Sequence, residues 1–205
     1  MRLNGFDRIA FLYDFLATLV FGRAIMNSQK YFLDEISGSS KILILGGGSG
    51  DLLAALLKRN PYCEVWYIEA SKKMITLSIS KIKPECLVHF IHGTEQEIPT
   101  SIKYDAAITN FYLDLFTDPF LEDVVNRIQS VLKPGACWLA TDFIKGNPWW
   151  QKEMLRIMYW FFSITCHIEP KQLPDWTGSM EKAGGKEIKS KAFYSGFIKT
   201  SLYQY

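Results

Sequence analysis

Between the apolar run KILIL and the helix-like DLLAALLKRN stand Gly46, Gly47, Gly48, Ser49 and Gly50. Glycines at such a turn admit positive φ and let a ligand lie against the backbone, and the helix that follows begins with N–H groups that have no intrahelical partner. The turn is therefore a place for a polar ligand. A dinucleotide fingerprint, G-x-G-x-x-G, needs a small residue at position 51, where this chain has Asp51, whose carboxylate would face a pyrophosphate. The observed G-x-G-x-G spacing instead suits a nucleoside without phosphates, lying across the strand ends. Nineteen residues past Gly50 comes Glu69, in YIEAS. A carboxylate there has two oxygens for the two hydroxyls of a ribose diol. Turn and carboxylate together specify a ribose.

The elements that hold these residues follow from the apolar pattern. Helical spacing from about Phe6 to Ile36 predicts two helices before any strand. KILILGG, EVWYIEA, LVHFIHG, DAAITNFYL and CWLATDF read as five short strands, alternating with DLLAALLKRN, SKKMITLSISKI (Ser71 as its N-cap) and PFLEDVVNRIQSVL as helices, with LKPGA a turn. Short apolar strands between helices predict a Rossmann-like α/β fold, a doubly wound, mostly parallel sheet covered on both faces. KEIKSKAFY and FIKTSLYQY, joined by Ser195 and Gly196, predict an antiparallel hairpin at the sheet edge and bring the strands to seven. No repeat or linker divides the chain, so residues 1–205 read as a single domain. Its parts are an N-terminal helical cap (1–37), a ligand-binding core (38–142), and an aromatic helix with the terminal hairpin (143–205).

Composition narrows the partners. The chain has 205 residues, 48% hydrophobic and 21% charged, which excludes a disordered or solvating tail. A net charge of +2 lacks the basic stripe of a dedicated nucleic-acid binder. Cys63, Cys86, Cys137 and Cys166 form no C-x-x-C pair, so neither a metal site nor a disulfide framework is expected. Asp7, Arg8 and Asp14 interrupt the N-terminal apolar stretch, and the run 157–166 is shorter than the roughly 20 residues a membrane span requires. A cytoplasmic protein without stable membrane insertion is expected.

Four stretches, LILGGGSGDLL, YIEAS, HGTEQEIP and YDAAITNFYLDLF with VLKPGA, resemble in order and spacing the class I S-adenosylmethionine-dependent methyltransferases. The opening FDRIAFLYDFL looks like that of the ubiquinone and menaquinone C-methyltransferase branch. The resemblance implies S-adenosylmethionine as cofactor and S-adenosylhomocysteine as product. It implies that Gly46, Gly48 and Gly50 pass under the methionine part and ribose, that Glu69 binds the ribose hydroxyls, and that Ala70 and Met74 line the adenine. Gly93, Thr94 and Glu95 would flank the adenine edge, Asn110 and Phe111 would face the methionine and methyl donor, and Tyr13 would be a cofactor contact or a half-buried helix tyrosine. Family members frequently carry an acidic residue where this chain has Ile44, an anchor for the methionine ammonium. The proline pair of the N-P-P-Y type is missing after Asn110, which disfavours a nucleic-acid base as acceptor.

Methyl transfer from a sulfonium needs chiefly positioning, with a base where the acceptor must lose a proton. The eligible groups are His167, His92, Asp142, Asp114 and Tyr13, and spacing singles out none. Trp149, Trp150, Tyr159, Trp160, Phe161, Phe162 and Trp176 crowd one stretch. They predict a large apolar or aromatic small-molecule acceptor, or a helix packed between sheet and cap, or a face on a membrane or partner. Two other functions compete: an NAD(P)-dependent oxidoreductase, and a catalytically silent S-adenosylmethionine-binding protein, the latter motivated by Ile44.

Overall fold

The structure, a computed structural model, describes residues 21–36, 38, 40–146, 148–151, 153–156 and 173–205. The first of the two N-terminal helices expected from the pattern, with Tyr13, lies outside them, as do Tyr159 to Phe162, Cys166 and His167. The second is α1 (Arg23–Lys30), followed by a 3-10 turn, Leu33–Ile36. Next come β1 (Lys41–Leu45), α2 (Asp51–Arg59), β2 (Glu64–Glu69), α3 (Lys72–Ser80), β3 (Val88–His92), β4 (Tyr104–Asn110), α4 (Asp118–Ser130), β5 (Leu132–Phe143), α5 (Trp176–Lys182), β6 (Lys186–Phe193) and β7 (Ile198–Gln204). Short 3-10 turns at Glu95–Glu97 and Leu113–Leu115 follow β3 and β4.

The seven strands form one sheet in the order β3-β2-β1-β4-β5-β7-β6, with β7 antiparallel to both neighbours and the other pairings parallel. This is a Rossmann-like doubly wound architecture, and it follows from apolar strands buried on both faces. In β1, Ile42 and Ile44 pack on one side with Leu52, Leu53, Leu56 and Leu57 of α2. Leu43 and Leu45 pack on the other with Leu121, Val125 and Ile128 of α4 and with Trp176 and Met180 of α5. Each fully buried leucine contributes roughly 1.5–3 kcal/mol. From β1 the chain winds outward through β2 to β3, then returns to β4 on the other side. The order therefore reverses between β1 and β4, and in open α/β sheets ligands bind beyond the carboxyl ends of the strands at such a reversal.

Two local expectations are corrected. LKPGA is not a separate turn but the beginning of β5, where Leu132 faces Tyr104 while Cys137 already faces Ala106. The proline and glycine form an irregularity in the ladder, with Gly135 at φ +80° donating its N–H to Tyr205 O at 2.6 Å. The hairpin turn is longer than Ser195-Gly196: Phe193 pairs with Ile198, and Tyr194, Ser195 and Gly196 all have positive φ. Of the hairpin's two strands only β6 lies at the sheet edge, since β7 is inserted beside β5.

Candidate functional site

The glycine turn leaves β1 at the reversal point, and packing from three sides fixes its shape. Gly46 (φ +64°) donates to Ile68 O at 3.0 Å, and a Cβ there would come within 2.7 Å of the Tyr112 ring. A Cβ on Gly47 would collide with the Tyr67 ring, and one on Gly50 (φ +86°) would meet the backbone of Ser78 at 2.7 Å. Gly48 differs: φ is +64°, yet nothing lies within 4 Å of its would-be Cβ, so its outer face is open. The Tyr67 hydroxyl donates to Gly48 O at 2.8 Å, and Ser78 Oγ lies 3.0 Å from the same carbonyl and 2.9 Å from the Tyr67 hydroxyl. Tyr67 opens the YIEAS stretch and Ser78 lies in SKKMITLSISKI, but neither is singled out as a site residue.

Glu69 ends β2, buried, and its carboxylate straps the turn. One oxygen accepts from Gly48 N at 3.0 Å and the other from Ser71 N at 2.9 Å. These two backbone bonds fix the plane of the carboxylate. Ser71 caps α3 as expected, accepting from Met74 N at 3.3 Å, and Met74 is buried beside this corner. Ala70 O lies 3.0 Å from His92 Nε2, which ties the loop after β2 to the end of β3. Gly93 donates to Glu69 O at 3.1 Å. Thr94 caps the 3-10 turn Glu95–Glu97 in a capping box with Glu97, and Glu95 accepts the Tyr112 hydroxyl at 2.8 Å. The polar groups of Thr94 and Glu95 therefore already hold the rim together.

At the end of β4, Asn110 is buried with both side-chain amide atoms unpartnered. Phe111 follows with φ +50°, a conformation non-glycine residues rarely adopt. Its N–H is held by Thr141 O at 2.7 Å and its ring packs 5.0 Å from that of Phe143. Beside it, Asp142 of β5 accepts from Tyr112 N (3.2 Å), Leu113 N (2.9 Å) and Asp114 N (3.2 Å) through one oxygen, and from Phe143 N (2.9 Å) through the other. Asp114 is buried against this carboxylate, within hydrogen-bonding reach, while its own Oδ1 has no partner. Burial pushes the Asp114 carboxyl up to about 7, against the lowering effect of its bond to Asp142. Burial, then repulsion from Asp114, also raises Asp142. The pair thus holds one proton near neutral pH.

Other expected residues sit elsewhere. Asp51 opens α2, exposed, and pairs with Lys81 at 2.8 Å. Ile44 is 1% exposed within the apolar layer against α2. Trp176 is a core residue, its Nε1 donating to Phe143 O at 2.9 Å, and Trp149 is 77% exposed. Trp150 joins Phe21, Phe143, Tyr194 and Phe197 in a packed aromatic cluster beyond the ends of β5 and β7. Among the described residues no three His, Cys, Asp or Glu are grouped to hold a metal, and no helix is long and apolar enough to cross a membrane.

Known proteins share this arrangement. Residues 42–135 match the family described as Methyltransferase domain. A ubiquinone/menaquinone biosynthesis C-methyltransferase from Vibrio cholerae serotype O1 is 29% identical over 174 residues, an alignment that takes in 81% of this chain and 64% of the relative. The chain thus spans less than two thirds of that relative. Among solved structures, an S-adenosylmethionine-dependent methyltransferase from Thermotoga maritima, described as a possible histamine N-methyltransferase, superposes with a TM-score of 0.69 over 99% of both chains at 16% identity. The N-methyltransferase NodS from Bradyrhizobium japonicum, in complex with S-adenosylhomocysteine, gives 0.67 over 90% of this chain and 87% of its own at 13% identity. Over residues 42–135 the chain thus matches the Methyltransferase domain family, and its fold is that of solved S-adenosylmethionine-dependent methyltransferases.

Proposed function

We propose that the chain binds S-adenosylmethionine across the carboxyl ends of β1, β2 and β4 and transfers its methyl group to a small apolar or aromatic acceptor, releasing S-adenosylhomocysteine. The observation that carries this reading is the Glu69 carboxylate bonded to Gly48 N at 3.0 Å, beside a glycine whose outer face is open. A ribose laid on Gly48 meets a carboxylate whose orientation is already fixed, so little ordering is left to binding. The unpartnered amide of Asn110 supplies an acceptor and two donors for an aminocarboxylate. Gly46, Gly48 and Gly50 form the floor, Ala70, Met74 and Gly93 the adenine side, and Thr94 and Glu95 the rim, their own N–H groups held by Glu97 and the Tyr112 hydroxyl. Phe111 borders the methyl end. The described residues fit the cofactor.

When bound, the cofactor supplies an electrophilic methyl group on a sulfonium. What the protein adds is position and exclusion of water. The half-buried Phe111 ring, backed by the buried Phe143 ring, borders the side towards β5, and an acceptor with apolar surface suits it. Tyr13 belongs to the same reading as a contact from the N-terminal segment. Curated relatives are named for ubiquinone and menaquinone biosynthesis, which fits an apolar ring acceptor. Ile44 favours one second reading, a protein that binds the cofactor without turning it over, because no carboxylate at that position meets the methionine ammonium. Calorimetry with S-adenosylhomocysteine, followed by transfer of labelled methyl from S-adenosylmethionine to a panel of aromatic acceptors, separates the two. Binding without transfer to any acceptor supports the silent protein, and absence of binding removes both.

A further inference from the structure

We propose that Cys63 and Cys86 form a reversible, peroxide-driven disulfide, an oxidative modification site at the end of the sheet away from the glycine turn. The inference goes beyond the methyl-transfer reading and does not depend on it. Distant in sequence, the two cysteines are brought together by the parallel pairing of β2 with β3, where Val65 stands opposite Val88. Backbone pairing runs on past that pair, with Val65 N donating to Leu87 O at 2.9 Å, and the same register carried back two residues sets Cys63 opposite Cys86. Neighbouring strands lie about 4.7–4.9 Å apart, within the roughly 4.4–6.8 Å that the Cα atoms of a disulfide span. The side chains meet in one apolar layer: Cys63 is buried there with Val65 and the leucines of α2, and Cys86 and Val88 pack against the same layer. Both thiols are free.

The surroundings of the two thiols divide the roles. Cys86 is half-buried in an otherwise exposed stretch, Lys83, Pro84, Glu85 and Leu87, so a small oxidant reaches its sulfur. Cys63 is 1% exposed, its Sγ donates to Asn60 O at 3.1 Å, and burial, with repulsion from Cys86 added, pushes its thiol up to about 11. Cys63 therefore stays a thiol until an oxidised sulfur is presented to it. With hydrogen peroxide as oxidant, the Cys86 thiolate attacks one peroxide oxygen, the O–O bond breaks, and the departing hydroxide takes up a proton as water. The Cys63 sulfur then attacks the sulfur of the Cys86 sulfenic acid, the S–S bond forms as the S–O bond breaks, and the Cys63 proton leaves with the hydroxide as a second water. Two thiols lose two electrons and two protons, and one peroxide becomes two waters. The bridge closes residues 63–86 into one loop that contains β2, Glu69 and α3. It also ties β3, an edge strand whose one neighbour is β2, to that neighbour.

The test treats the full, reduced chain with hydrogen peroxide, blocks the remaining thiols with iodoacetamide in urea, and maps non-reduced peptides by mass spectrometry. The expected product is an intramolecular Cys63–Cys86 crosslink, reversed by dithiothreitol and formed equally in a Cys166→Ser chain. The melting temperature of the oxidised monomer should rise by roughly 5–10 °C. Amide exchange should slow in β3 and stay unchanged in the other edge strand, β6. Cys86→Ser should lose the crosslink and both effects. In Cys63→Ala the Cys86 sulfenic acid should persist and be trapped by dimedone, where wild type consumes it. The crosslink map of the wild-type chain needs no variant, so it decides the question even where Cys63→Ala fails to fold. The proposal is overturned if both thiols are still alkylated after the peroxide has oxidised added glutathione, or if Cys86 couples to another cysteine or another chain instead. It is also overturned if the crosslink forms only once urea has unfolded the chain, or if the crosslinked monomer melts where the reduced one does. No arm uses S-adenosylhomocysteine, so a chain that fails to bind it refutes the methyl-transfer reading and leaves this proposal standing.

Discussion

Replacing Asp114 by Asn should make the protein more stable at neutral pH and should nearly abolish one part of its pH dependence. In the unfolded chain Asp114 ionises at its ordinary value of 3.8, and in the folded chain near 7. Between these the folded state holds a proton that the unfolded state has released, so stability contributed by this group is present below pH 3.8 and is lost as pH rises through 7. At about 1.4 kcal/mol per pH unit the loss amounts to about 4 kcal/mol. Asn cannot ionise, has the same shape, and can still hydrogen-bond to Asp142. The mutant should therefore match wild type near pH 4 and exceed it progressively above, by about 2 kcal/mol at pH 5 and up to about 4 kcal/mol above neutrality, roughly 10 °C in melting temperature for a chain of this size. Urea melts at about pH 4 and pH 8 measure both ends of this rise. Asp142→Asn is the control: it leaves four backbone N–H groups without their carboxylate and should lower stability at every pH, by about 2 kcal/mol or more. Parallel pH curves for wild type and Asp114→Asn would show that the two carboxyls do not share a proton.

Three further outcomes are expected. Glu69→Ala removes the proposed ribose acceptors and releases the N–H of Gly48, and should weaken S-adenosylhomocysteine binding by roughly 1.5–3 kcal/mol in calorimetry. Unchanged affinity would remove Glu69 from the site. Gly48→Val should remain folded by circular dichroism yet lose the ligand, because its side chain occupies open space, whereas Gly47→Ala should lower the melting temperature, since its Cβ collides with the Tyr67 ring. Tyr67→Phe deletes the hydroxyl that donates to Gly48 O, and should cost about 1 kcal/mol of stability in denaturant melts while weakening ligand binding.

The glycine turn and Glu69 were legible in the chain because both belong to one β-turn-α-β unit, where spacing fixes which strand end each residue reaches. Strand identity was legible too, since strands buried on both faces read as unbroken apolar runs such as KILIL. What failed was punctuation: proline and glycine in LKPGA signal a break, but Gly135 makes an irregularity inside β5 because the C-terminal Tyr205 supplies a backbone carbonyl from the far end of the chain. The ties that shape the site, Tyr67 to Gly48 and Tyr112 to Glu95, join side chains in different elements without any fixed spacing. Asp114 and Asp142 were visible only as two of five eligible groups. They meet because β4 and β5 pair in parallel, with Asn110 opposite Thr141, so that the residues after one strand end fall beside the last residues of the next. Thr94, expected at the adenine edge, has its hydroxyl engaged in capping the turn Glu95–Glu97.

The most direct test of the central claim is isothermal titration of the purified protein with S-adenosylhomocysteine, S-adenosylmethionine, NAD and NADP in turn. Saturable binding of the first two, lost in Glu69→Ala, with no heat from the dinucleotides, is the expected result. Binding of a dinucleotide, or of none of the four, would contradict it.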